Sequence, residues 1–130
     1  STTHQLVDTP YGKGVRIIRG DGNGGYWSLR YFGKPIVYHK NHTYEIKFKY
    51  KNLKGDNHKV FNVGWWVNKD SKEYKKSYNL VLETRQLGNG WVCLKSSYNF
   101  IEDHNNLICL LNSLNDHTEI IIADVAIYEK

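Results

Sequence analysis

From Thr43 to Lys51 the chain alternates without a break. Tyr44, Ile46, Phe48 and Tyr50 share one parity, and Thr43, Glu45, Lys47, Lys49 and Lys51 the other. Successive side chains of a strand point to opposite faces, so this pattern demands a strand with one buried and one wet face. A helical period would scatter the same apolar residues around the axis. Such a strand cannot stand alone; it needs hydrogen-bonded neighbours and a second layer over its apolar side.

The neighbours are legible as further β-like runs. They are GVRII (14–18), GYWSLRYF (25–32), PIVYH (35–39), KVFNVGWWV (59–67), SYNLVLETRQL (77–87), WVCLKSSYNF (91–100), NLICLLNSL (106–114) and TEIIIADVAIYE (118–129). Turn-forming stretches separate them, among them GDGNGG, FGKP, LKGDNHK, LGNG, EDHNN and LNDH. No segment sustains a helical apolar stripe for three turns. Eight or nine strands in 130 residues predict an all-β chain. The expected form is a two-sheet antiparallel β-sandwich with jelly-roll topology, because the Cys…Trp…Cys spacing of an immunoglobulin domain is missing. Residues 1–130 read as a single domain, with 1–13 as a loose N-terminal segment.

Composition narrows the function classes. Aromatics reach 14%, with ten Tyr and four Trp, which favours β-structure and ring-lined surfaces. The longest apolar runs are about five residues, far short of the roughly 20 that a membrane-spanning helix needs, so no membrane partner is expected. A net charge of +5 would suit an anionic polymer or nucleic acid. The lysines, however, are scattered (Lys47, Lys49, Lys51, Lys69, Lys72, Lys75, Lys76) as on a solvated face, and a nucleic-acid partner is not expected. Cys93 and Cys109 lie inside apolar runs without metal-ligand spacing and read as buried free thiols.

Catalysis finds little support. Glycoside hydrolysis needs two carboxylates across a cleft, and nothing in the spacing of Glu83, Glu102, Asp103, Asp116, Glu119 and Asp124 selects a pair. Ser28, Ser96 and Ser97 lie in strands without a nucleophile elbow. His39 and His42 could hold a metal only with ligands from elsewhere. The loop from Gly20 to Trp27 lacks the Lys-Ser/Thr ending of a phosphate cradle and the acidic ligands of a calcium loop. The chain is read as a non-enzyme.

Binding chemistry is better provided for. In VFNVGWWV, parity groups Phe61, Val63, Trp65 and Val67 as core and leaves Asn62 and Trp66 on the other face. The same logic turns Tyr26 and Arg30 outward beside core Trp27, Leu29 and Tyr31, and Asn79, Glu83 and Arg85 outward beside core Leu80 and Leu82. Pyranose C–H patches stack on aromatic faces, and sugar hydroxyls seek planar polar partners. If these strands are sheet neighbours, Trp66, Tyr26, Arg30, Asn62, Glu83 and Arg85 form a glycan platform. Trp91, Tyr44 and Phe48 are expected to pack rather than bind.

The order of segments also resembles a known family. A Gly-rich loop precedes YWSLRY; HTYEIKFKYK, a tryptophan-bearing strand, NGW…SSYNF, NLICLLNSL and IIIADVAIYEK follow. This is similar to the jelly-roll carbohydrate-binding modules of families four, nine and twenty-two, with a galactose-binding-domain-like sandwich. Tyr44, Phe48, Trp91, Phe100, Asp124, Val125, Ile127 and Tyr128 stand at the family's motif positions over residues 14–130. The start departs from the pattern: HQLVDTPYGKG does not match the usual opening strand. The resemblance implies a non-catalytic module that binds a polysaccharide or oligosaccharide and targets an appended catalytic or surface domain. It also implies an extracellular or cell-surface location. A structural calcium, with Asp124 as its ligand from the closing strand, is a further implication of the resemblance. The competing reading is a protein-interaction or structural β-sandwich of a surface or phage assembly, with Trp66 as an interface anchor.

Overall fold

A computed structural model describes residues 2–21, 27–29, 37–55, 63–67, 69–74, 83–105, 108–111 and 117–130. Eleven strands are placed among them: β1 (Thr2–Thr9), β2 (Gly12–Arg19), β3 (Trp27–Leu29), β4 (Val37–Tyr38), β5 (Thr43–Lys54), β6 (Val63–Trp66), β7 (Glu83–Gly88), β8 (Trp91–Asn99), β9 (His104–Asn105), β10 (Ile108–Leu111) and β11 (Glu119–Glu129). Six form one antiparallel sheet in the order β1-β2-β11-β5-β8-β7, and three form a second in the order β3-β10-β6. Strands β4 and β9 make a separate short pair. The chain changes sheet from β5 to β6, from β6 to β7, from β8 to β10 and from β10 to β11. That alternation is the jelly-roll signature, and the expected sandwich class is what is found.

The alternating strand follows its parity except at Glu45, which lies on the wet parity and is nonetheless buried. Tyr44, Ile46 and Phe48 of β5 are buried, while Lys47 on the opposite face is exposed. Register continues the face outward: Phe48 stands opposite Leu94 and Tyr50 opposite Val92 on β8, and Tyr50 stands opposite Ile122 on β11. From the second sheet, Trp65 enters this core with 0% exposure. Its ring lies 6.0 Å from Tyr38 and 5.6 Å from Phe100, edge-on to both, and 6.3 Å from Tyr98. Edge-to-face contacts of this kind add about 0.5–1.5 kcal/mol each beyond the area they bury. Trp65 and Val67 are both buried, as the alternation in VFNVGWWV predicts. The side chain of Trp66 lies outside the described residues.

The N-terminal segment differs from expectation. Residues 2–9 form an edge strand paired with β2 from Thr2↔Arg19 to Thr9↔Gly12. The tight turn Thr9-Pro10-Tyr11-Gly12 closes the hairpin. Thr9 Oγ1 accepts from the Tyr11 amide at 3.0 Å and donates to the Gly12 carbonyl at 2.7 Å, and Gly12 supplies the positive φ of 96°. The segment reads as loose because its side chains are mostly exposed, so it has almost no apolar pattern; backbone hydrogen bonds order it instead. Gly14 then permits a close approach: a Cβ there would stand 2.8 Å from the Ile122 carbonyl oxygen and from Thr9 Cγ2.

A charged device ties two loops to the core. Glu73 is fully buried, and Tyr98 donates to its Oε2 at 2.5 Å. Its Oε1 accepts from the amides of Ile101 and Glu102 at 3.1 and 3.0 Å and contacts His104 Nε2 at 2.9 Å. Burial, then the hydrogen bond to Glu73 and its charge, push the Tyr98 phenol well above its ordinary range. Sequence patterning gave no hint of this carboxylate, which sits in the polar stretch NKDSKEYKKSY.

Candidate functional site

The outer face of the six-stranded sheet carries a groove of about 500 Å³. Strands β5, β8 and β7 supply its floor, and the β1–β2 turn supplies a wall. The period of two selects which residues face it. One cross-strand row is Lys47–Lys95–Glu83, and the next is Lys49–Cys93–Arg85. Leu87, Thr84 and Tyr11 complete the lining.

Tyr11 reaches the groove because the hairpin curls over the sheet. Its ring meets Trp91 edge-on at 5.3 Å, and the Lys49 ammonium lies 4.5 Å from its centroid. Trp91 is therefore packed rather than presented, with 4% exposure, but on the outer face beside Lys51 and not in the inter-sheet core. Cys93 is a buried free thiol, as expected, and its small side chain leaves the middle of the groove floor low.

The charges are unevenly matched. Glu83 pairs with Lys95 at 3.4 Å, and Lys49 pairs with Asp124. Lys47 and Arg85 have no carboxylate partner among the described residues. Exposed pairs such as Lys95–Glu83 contribute little to stability, about 0–1 kcal/mol, so both groups can exchange partners at small cost.

Of the six residues expected to form a glycan platform, the structure brings Glu83 and Arg85 together on β7, both in the groove. Trp66 falls on β6, which shares the three-stranded sheet with β3 across β10, whereas β7 belongs to the six-stranded sheet, so the strands expected to carry the platform are not all neighbours in one sheet. Parity within one strand was informative, but it does not report which sheet a strand joins. Tyr26, Arg30 and Asn62 lie outside the described residues. Sequence reasoning missed Tyr11, Lys47, Lys49 and Lys95. The signal of the three lysines was the wet parity of β5 and β8, which is indistinguishable in sequence from ordinary solvation, and Tyr11 lies in a turn that carries no such pattern.

The calcium implied by the resemblance does not fit Asp124. This residue occupies a β-bulge where the β11–β5 register slips between Ala123 and Ala126, with φ of 52°. Its carboxylate is ion-paired with Lys49, and calcium asks for six to eight oxygen ligands. Glu73, Glu102 and His104 approach within 4.8 Å of one another. They fit a cation no better, because Glu73 already receives donors on both oxygens and Glu102 accepts from Ser71 Oγ at 2.9 Å.

No protein-family model and no curated protein sequence matches the chain. Among the solved structures similar in fold are two carbohydrate-binding modules. One is the Clostridium thermocellum N-terminal endo-1,4-beta-D-xylanase 10B, CBM22-1-GH10 modules complexed with xylohexaose. It shares 16% identity over 98% of this chain and 24% of that chain, with a TM-score of 0.59. The other is the CBM22-1 xylan-binding domain from Paenibacillus barcinonensis Xyn10C, at 17% identity over 99% of this chain and 81% of that chain, with a TM-score of 0.55. The chain thus has the β-sandwich fold of these carbohydrate-binding modules.

Proposed function

We propose that the protein is a non-catalytic carbohydrate-binding module that holds a polysaccharide in the groove on the outer face of its six-stranded sheet. The observation that carries this reading is the groove itself. It is a preformed concavity on paired strands, with a tyrosine at its wall and Glu83, Arg85 and Lys95 along its floor. That combines an apolar ring with the planar and charged partners that sugar hydroxyls take. The fold it shares with xylan-binding modules supports the same class of ligand. Rigid strands keep the ordering cost of binding low, and a shallow groove keeps affinity modest.

On this reading the chain works by raising the local concentration of an appended catalytic or surface domain on its polymer, outside the cell, and performs no chemistry itself. Affinity electrophoresis through gels containing a panel of plant polysaccharides tests it. Retardation by at least one polymer, weakened by Arg85→Ala with the fold intact, is expected; migration unaltered by every polymer refutes it. Trp66→Ala is expected to leave retardation in place, since Trp66 belongs to the other sheet.

A second reading rests on the β1 edge. Among the described strands β1 is the last of its sheet, paired with β2, and Leu6 is 81% exposed, which suits strand addition by a protein partner. Glycan-independent pull-down that Leu6→Lys abolishes would favour that reading over the first.

A further inference from the structure

We infer that the groove selects polysaccharides bearing carboxylate groups, that is, uronate-containing chains over their neutral counterparts. The inference rests on the carbohydrate-binding reading above and names the chemical class of its ligand.

Charge placement is the basis. Four cations, Lys47, Lys49, Lys95 and Arg85, line the groove against a single carboxylate, Glu83. Lys47 and Lys95 stand directly opposite each other on β5 and β8. Like charges at opposed positions of a strand pair destabilise the sheet. Glu83, on the far side of Lys95 and itself 73% exposed, relieves only one of the two, through a contact of 3.4 Å with Lys95. Asp124 engages Lys49. Lys47 and Arg85 are left on the two flanks of the floor without carboxylate partners among the described residues, on strands roughly 10 Å apart. A carboxylate seated between them removes the repulsion and completes both ion pairs.

Arg85 gives the preference its geometry. A guanidinium offers two parallel N–H donors that match the two oxygens of a carboxylate, whereas Lys47 acts as a point charge. Cys93, between Lys49 and Arg85, keeps the floor low enough for a sugar ring to bring its substituent down to them. Neutral glycans would keep the ring contact at Tyr11 and the hydroxyl contacts, but would leave the two cations unmatched.

The test compares one polymer in two forms: glucuronate-bearing xylan and the same xylan after its carboxyl groups are reduced to alcohols. Heparin and single-stranded DNA serve as other polyanions, and binding is read by affinity electrophoresis and calorimetry at two salt concentrations. Wild type is expected to bind the acidic form about tenfold more tightly, with the ratio shrinking at high salt. Lys47→Gln and Arg85→Gln should each bring the ratio towards one. Lys72→Gln, which removes the same charge from an exposed position outside the groove, should preserve it. Equal binding of the native and reduced polymers overturns the inference and leaves the carbohydrate reading standing. Binding to neither polymer, nor to any in the wider panel, overturns both. Heparin or DNA bound as tightly as acidic xylan also overturns it, because the groove would then be a plain ion exchanger.

Discussion

Removing the Glu73 carboxylate should be among the most damaging single changes available to this fold. The side chain is fully buried and gathers four donors, the Tyr98 hydroxyl, the amides of Ile101 and Glu102, and His104 Nε2. Glu73→Ala strands them around a void. Each buried donor left unmade costs about 1–3 kcal/mol, although some relax towards water. A net loss of about 4 kcal/mol is the working figure, in line with losing one partner of a buried charged network. Unfolding entropy near 2.1 cal/mol/K per residue gives roughly 0.27 kcal/mol/K for a chain this size, so Tm should fall by about 15 °C. Glu73→Gln is the informative contrast. Its carbonyl oxygen can still accept the three N–H groups, while its amide donates to a Tyr98 hydroxyl that now accepts. The loss should shrink to about 1–2 kcal/mol, near 5 °C. Differential scanning calorimetry reads both variants. An alanine variant melting within about 3 °C of wild type, or a glutamine variant as damaged as the alanine one, would refute the reasoning.

Trp65→Ala empties the centre of the aromatic cluster and should cost about 3–5 kcal/mol by chemical denaturation; a cost under about 1 kcal/mol would mean the sheets do not pack through it. Alkaline stability should report Tyr98. Its folded-state pKa is raised, so its contribution is intact below the unfolded value near 10 and is lost as pH climbs from there towards the folded value. Tyr98→Phe should therefore be less stable than wild type by about 1 kcal/mol at neutral pH, with the gap narrowing above pH 10 in urea titrations. A gap that widens there would contradict the sign.

Much of the fold was legible because parity is a strong physical signal. The alternation through β5 correctly buried Tyr44, Ile46 and Phe48, and the split of the tryptophan pair correctly sent Trp65 inward. Three things were not legible, each for a stated reason. Strand β1 is held by its backbone and carries almost no apolar pattern. Trp91 is buried on the wet parity because a hairpin turn distant in sequence places Tyr11 over it. Glu73 lies in a stretch whose composition is that of a loop, and only the closing of the 101–105 segment around it makes it a core residue. The site divides the same way. Glu83 and Arg85 line the groove from β7, on the outward side that their parity assigns. Tyr11 and the opposed lysines required knowing that β5, β8 and β7 are adjacent and that the N-terminal hairpin curls over them.

The groove as the seat of carbohydrate binding is tested most directly by two-dimensional amide NMR of the labelled protein, titrated with a xylo-oligosaccharide bearing glucuronate. Saturable shifts concentrated at Tyr11, Lys47, Arg85, Cys93 and Lys95 are the predicted result. Shifts centred on β3, β10 and β6, or none at saturating oligosaccharide, would contradict it.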